Sequence, residues 1–232
     1  MSLNFFYPIG KEPEKDPVID LLPDGYKSAA VIFSPFFKMP DGWDSPDGPS
    51  DEEVYQFADR MSWKEIETIS NLRSISEVSK AVKNYVNGGL VRELYQKKEL
   101  VEKINDKFDP GMFFPHPDQL PILLIDDMLA VLGSRGAEKV LYNKLDGDGE
   151  LLLSEIDLKQ KLYLCSGPTL LMDEKEQFVF TCFFDEASMV FFTKEGDFNC
   201  FKGTTFEGVY LEKETPIIWE NHQCTYFNYD RT

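Results

Sequence analysis

The densest run of potential metal ligands is Asp146-Gly147-Asp148-Gly149-Glu150-Leu151, followed by Glu155. Laid on a calcium-binding EF-hand loop, Asp146, Asp148 and Glu155 would surround one divalent cation with hard oxygen ligands. Lys144 would then occupy the first ligand position, putting a positive charge where a carboxylate is required. The flanks KVLYN and ELLL read as strands, whereas an EF-hand needs helices. A hairpin turn built from Asp and Gly accounts for the same letters. The expectation is a turn, with Asp146, Asp148 and Glu155 as a weak metal alternative and no cofactor.

Nucleophilic catalysis needs a base, and the chain offers two histidines, His116 and His222. His116 lies in PHPDQLP, between prolines, where a histidine reads as a solvated loop residue or a cap. His222-x-Cys224 does not place thiol and imidazole face to face in a strand or turn. Asp126-Asp127 could serve as an acid/base pair, although a solvated helix edge explains both. GxSxG, Walker, GxGxxG and HExxH patterns are absent from the sequence. An enzyme would have to bring His116 or His222 within hydrogen-bond reach of a Cys or carboxylate in a pocket.

Trp43 sits in the turn-rich loop MPDGWDSPDGPSDEE. It is expected as a lid folded over the core, or alternatively as a binding anchor. Residues 62–86 have a helix–turn–helix layout within the only basic stretch, Arg60 to Lys107, where 10 basic minus 7 acidic residues give +3. Its second helix would present Ser76, Glu77, Ser79, Lys80 and Lys83 outward, a set with no Arg, Asn or Gln to read bases. The whole chain carries 24 basic and 41 acidic residues, or −17, which repels phosphates. No nucleic acid and no anionic membrane is expected as a partner; a basic protein is.

The elements that would carry these residues are legible from local pattern. Leu120–Leu132, LPILLIDDMLAVL, is apolar almost all round as a helix, with Asp118 as its cap, Pro121 in its first turn and Gly133 at its end. It predicts a buried central helix. Ser50/Glu53, Ser62/Glu65 and Ser74/Glu77 fit capping boxes and announce helices over 51–60, 62–70 and 74–86. A fourth helix is predicted over 90–107. Strands are predicted over 28–34, 139–143, 150–153, 162–165, 177–184, 188–193, 208–211 and 217–220. QFVFTCFFDEASMVFFTK reads as a hairpin of two central strands.

Eight of the fourteen prolines lie in residues 1–50, and residues 1–25 are expected as an extended N-terminal arm. Helices first and antiparallel strands later predict one α+β domain over 1–232: a helical N-terminal half and a mostly antiparallel C-terminal sheet around the buried central helix. The four cysteines form no ligand-like pair, which favours a reducing cytoplasm. The N-terminus does not read as a secretory signal, and no apolar run reaches the roughly 20 residues that cross a bilayer. The functional expectation is an intracellular, non-enzymatic binding or interaction protein with an acidic surface. The alternative is a small-molecule or metal-dependent enzyme with a pocket near the Trp43 loop.

YKSAAVIFSPFFKMPDGW at 26–43, PSDEEVYQFADRMSWKEI at 49–66 and KVLYNKLDGDGELLLSEI at 139–156 together resemble a family of Bacillus-type bacterial proteins, domain of unknown function family 2711. The similarity extends over roughly residues 20 to 220. It implies a bacterial cytoplasmic setting and brings no activity, cofactor or site residue. The family's middle turn is less acidic than the DGDG here, which weakens the calcium reading further. A looser similarity links the acidic, aromatic-rich chain and its late sheet to Smi1/Knr4-like immunity proteins. That likeness implies an acidic surface that neutralises a basic toxin.

Overall fold

The computed structural model describes residues 15–45, 47–87, 96–182, 186–216 and 218–229. Strand β1 (Ser28–Phe33) shows how the layers arise. Ala29, Val31 and Phe33 enter one core, and Ala30 and Ile32 enter another. A strand apolar on both faces has to be covered on both. β1 accordingly lies inside an eight-stranded sheet, between β9 (Ser188–Thr193) and β10 (Glu207–Leu211). Beyond β10 comes β11 (Thr225–Asn228). Beyond β9 come β8 (Phe178–Cys182), β7 (Thr169–Asp173), β5 (Lys139–Lys144) and the edge strand β6 (Gly147–Leu152). Each neighbouring pair is antiparallel.

One face carries α3 (Trp63–Ile69), α4 (Ile75–Asn87) and α5 (Lys98–Asn105), whose Trp63, Ile66, Val78, Val82 and Ile104 pack on Val31, Phe33 and Phe192. The Trp63 ring stacks 4.1 Å from that of Phe33, and its indole N–H donates to the Ser34 carbonyl at 2.7 Å. That bond keeps a buried donor satisfied while the ring fills the core. The other face carries α6 (Ile125–Gly133) and α7 (Leu158–Cys165), which cover Ile32, Phe178, Phe180 and Phe191. The result is α+β: an antiparallel sheet held between two helical layers.

A second, three-stranded sheet, β3 (Asp59–Met61), β2 (Phe36–Lys38) and β4 (Met112–Phe113), sits at one end. Next to it, α2 (Asp51–Phe57) starts at a complete Ser50/Glu53 capping box; Ser62/Glu65 starts α3 in the same way. The 1–25 arm lies outside the described residues as far as residue 14, and the rest of it is not simply extended. Val18–Leu21 forms a short helix, α1, and Val18 is fully buried. Residues 88–95, where the fourth helix was expected to begin, also lie outside the described residues, as does the start of the β8–β9 turn.

Five expectations change. The apolar run 120–132 is a 3-10 turn at Ile122–Leu124 followed by α6, because Asp118 takes a left-handed φ of +59° and Pro121 stays extended. The middle layer is the sheet, and α6 lies on one side of it with Asp126 in solvent. Residues 162–165, expected as a strand, are the last turn of α7; Asp157 and Gln160 form the capping box that starts it. Of residues 217–220, also expected as a strand, 217 lies outside the described residues, and Ile218 leads into a 3-10 turn at Trp219–Asn221. That turn covers α4, so Ser79 and Lys83 of the expected outward face are turned inward instead.

Candidate functional site

The end of the molecule near α2 places a serine, a histidine and an aspartate around one cavity. β1 stops at Phe33, and Ser34-Pro35 crosses into β2. The β2–β4 pairing brings in Phe114-Pro115-His116, and the turn at Asp118 sends Gln119 back toward α2. Asp51, the first residue of α2, accepts hydrogen bonds from Gln119 Nε2 at 3.2 and 3.4 Å. His116 Nδ1 lies 3.4 Å from Asp51 Oδ1. Ser34, Asp51, His116 and Gln119 line one half-open cavity of about 30 Å³. Ser34 is 2% exposed, and its Oγ has no hydrogen-bond partner among the described residues.

A serine, a histidine and an aspartate in one wall have the outline of a nucleophile, base and orienting acid. The volume decides what this arrangement can hold. Ligand pockets run to about 300–1,000 Å³. At roughly a tenth of the lower figure, the cavity as it stands does not enclose a substrate.

Trp43 stands close by without lining the cavity. Its ring meets Phe113 edge-on at 5.9 Å, Phe113 stacks on Phe37 at 5.3 Å, and Phe37 meets His116 edge-on at 5.7 Å. Trp43 is half-buried, and its side chain hydrogen-bonds to Glu53. The Glu53 carboxyl lies below the usual range because it accepts from the Ser50 backbone and side chain as well as from Trp43. From Met39 to Asp59 the chain has seven acidic residues and no basic one. Lys38, at the edge of that stretch, pairs with Asp41 and Asp109.

The other residues singled out from the sequence lie elsewhere. Asp146 is in the β5–β6 turn, Asp148 pairs across it with Asn143 and accepts from its Nδ2, and Glu155 is on a separate 3-10 turn. Lys144 turns away from the hairpin tip and donates to the Tyr163 and Ser166 carbonyls at 2.8 and 2.6 Å, closing the end of α7. Among the described residues, no three His, Cys, Asp or Glu side chains come together as a metal site would require. Asp126 and Asp127 diverge: Asp126 meets Tyr55 and Lys161, and Asp127 accepts from the Thr205 backbone and hydroxyl. His222 is exposed, while burial raises the thiol pKa of Cys224. Burial likewise pushes Cys182 up to about 11 and Cys200 up to about 12, which keeps both thiols protonated at neutral pH.

Two buried polar clusters had no signal in the sequence. Glu207 on β10 accepts from the Trp63 and Lys64 amides at 2.6 and 2.9 Å and from the Tyr226 hydroxyl at 2.7 Å. Lys83 on α4 bridges Glu186 and Glu220 at 2.8 and 2.7 Å. Ser34 and Asp51 were equally silent, because only tertiary packing brings them to His116.

No helix among the described residues is long and apolar enough to cross a membrane. No solved structure matches the chain. It is 25% identical over 217 residues to the uncharacterized protein YwbB of Bacillus subtilis (strain 168), covering 89% of this chain and 96% of that protein. The model of the family described as "Protein of unknown function (DUF2711)" matches residues 14–221. With nearly its whole length matched, the chain belongs to the DUF2711 family of bacterial proteins.

Proposed function

We propose that this protein is a non-enzymatic binding protein that engages a basic partner protein through the face built by the Trp43 loop and α2. The observation that carries this reading is the stretch from Met39 to Asp59, where seven acidic residues and no basic one surround a half-buried tryptophan. A field of one sign on a surface draws an oppositely charged partner and raises its association rate. A held aromatic ring supplies the apolar contact that charge alone lacks. An immunity-type role, in which an acidic protein neutralises a basic toxin, is the specific form of this reading. The four free cysteines support a reducing, cytoplasmic setting. A rival enzymatic reading at the His116 cavity would need the wall to open to roughly ten times its present volume.

The test is affinity capture from bacterial lysate with wild type and with Asp44→Lys/Asp47→Lys/Glu52→Lys. The expected result is a stoichiometric basic protein held by wild type at low salt, released at high salt and lost by the variant. Equal retention by both proteins, or no basic protein on either, would overturn the proposal.

A further inference from the structure

We infer that the molecule carries a second recognition site, a groove for a small aromatic carboxylate at the end of β1 opposite the Asp51 cavity. The groove opens where two strands part. β1 and β10 pair as far as Ala29 and Leu211. Beyond that point β1 stays with β9, through Ser28 opposite Thr193 and the Lys27 amide donating to the Thr193 carbonyl at 2.9 Å. β10 turns away instead: the Glu212 amide donates to Thr215 Oγ1 at 3.1 Å, and the Thr215 amide to the Glu212 carbonyl at 2.9 Å. The space between them is open to solvent and measures about 520 Å³, within the roughly 300–1,000 Å³ of small-molecule sites. The volume admits such a molecule, and the lining selects it.

Part of that lining is aromatic. Tyr210 and Phe198 both line the groove and stack with ring centroids 4.5 Å apart. The Tyr210 ring also stacks on Phe227 at 4.5 Å, and its hydroxyl shares a 2.8 Å hydrogen bond with that of Tyr229. These contacts fix the ring before any ligand arrives. Tyr210 and Phe198 are nonetheless only half-buried, so a planar ligand finds a preset aromatic surface to pack on. Ile19 and Leu211 add aliphatic surface beside it.

The rest of the lining is charged and polar. Lys27 and Lys213 each stand two residues beyond the last β1–β10 pair, one on each parting arm, and both line the groove. Among the described residues neither ammonium has an ion-pair partner, Glu212 of the same lining included. A lysine carries its charge on a flexible stem, so both heads can swing to one carboxylate. Two lysines less Glu212 leave +1, which suits a monoanion. Ser28 alternates with Ala30 and Ile32 and so takes the sheet face of Tyr210 and Phe198. Its hydroxyl, without a partner among the described residues, can donate to a carboxylate oxygen there. The net −17 of the chain does not bar this ligand, because charges more than about 8 Å away are largely screened at physiological salt.

The test uses the full chain and three probes, phenylacetate, its neutral counterpart phenylacetamide, and acetate, titrated while the backbone amides of Ser28, Leu211 and Lys213 are followed by NMR. Phenylacetate is expected to bind saturably and shift these three amides. Phenylacetamide keeps the ring without the charge and should bind about tenfold more weakly, the worth of one charge-assisted contact. Acetate, a carboxylate without a ring, should not shift them over the same range. Lys27→Gln/Lys213→Gln should weaken phenylacetate by a comparable factor; both residues are exposed, so its Tm should match wild type. The site is overturned by no saturable shift with phenylacetate, by the amide binding as tightly as the acid, by acetate moving the same amides, or by unchanged binding in the double variant. The probe arms need no variant, so they decide the matter even if the variant folds poorly. The groove lies apart from the Trp43 face, and failure of either proposal leaves the other standing.

Discussion

Lys83 Nζ lies 2.7 Å from Glu220 Oε1, joining residues 137 positions apart (220 − 83) in the packed interface between α4 and the Trp219–Asn221 turn. Ser79 Oγ donates to the same oxygen at 2.6 Å, and Glu186 takes the other side of the ammonium at 2.8 Å. Glu220 Oε2 has no partner among the described residues. One lysine thus holds two carboxylates in place.

Lys83→Met should be strongly destabilising, because it leaves two carboxylates next to each other without their cation. Breaking one side of a buried pair costs about 3–5 kcal/mol, and urea unfolding would measure it. Burial pulls the Lys83 pKa down, but the charges and hydrogen bonds of Glu186 and Glu220 outweigh that and leave it raised. A lysine raised in the fold contributes stability that is fully present below its unfolded value, about 10.4, and is lost as pH rises through the folded value. The gap between wild type and Lys83→Met should therefore stay flat from neutral pH to about 10 and shrink only above that.

Glu207→Gln tests the buried carboxylate at the start of α3. Gln can accept from one of the Trp63 and Lys64 amides but presents an N–H₂ to the other, so destabilisation of about 2 kcal/mol is expected. Burial raises the Glu207 pKa, and the donors from Tyr226, Trp63 and Lys64 offset this only in part. A carboxyl raised in the fold holds its proton more tightly there, so its ionisation removes stability as pH rises from about 4.3 through the folded value. The penalty of Glu207→Gln should consequently be larger near pH 4 than at pH 7 in parallel denaturant titrations.

Lys144→Met should free the end of α7. It removes donors from the Tyr163 and Ser166 carbonyls and from Thr169 Oγ1, and about 2–3 kcal/mol is expected. Because Lys144 is committed there and Asn143 engages Asp148, millimolar calcium should leave the Tm of wild type unchanged. A rise of several degrees that vanished in Asp148→Asn would place a cation at the hairpin instead.

Gly208→Ala should be costly for a reason unrelated to turns. Gly208 lies in β10, and a Cβ there would run into the Val31 carbonyl of β1 and press on the Phe227 ring. A backbone oxygen in a central strand cannot step aside as a flexible side chain would. Overpacking of this kind costs about 3 kcal/mol, which a thermal melt would register as a drop of several degrees.

The local alphabet determined a good part of this protein. Ser50/Glu53 and Ser62/Glu65 start helices because each pair satisfies its own backbone donors within four residues, whatever the rest of the chain does. The continuous apolar run in Ser28–Phe33 and the paired runs 178–182 and 188–193 likewise dictated central strands. Where the local signal was short, it misled. Leu162–Cys165 is four apolar letters that fit a strand or a helix end equally, and the Asp157/Gln160 box that decides for the helix lies upstream. The run 120–132 signalled burial, but one helix cannot announce that the sheet will take the middle.

The site was decided by tertiary structure alone. His116 read as a loop residue because the carboxylate beside it is remote in the chain. Its carboxylate, Asp51, lies 65 positions earlier (116 − 51), and Ser34 earlier still. The DGDG motif was the reverse case: strong in letters, yet its first ligand position, Lys144, is drawn off to the end of α7. Capping acts through bonds to near neighbours and an apolar run is itself contiguous, so spacing in the chain records both. A cavity is the space left when distant elements pack, and no spacing in the chain records that.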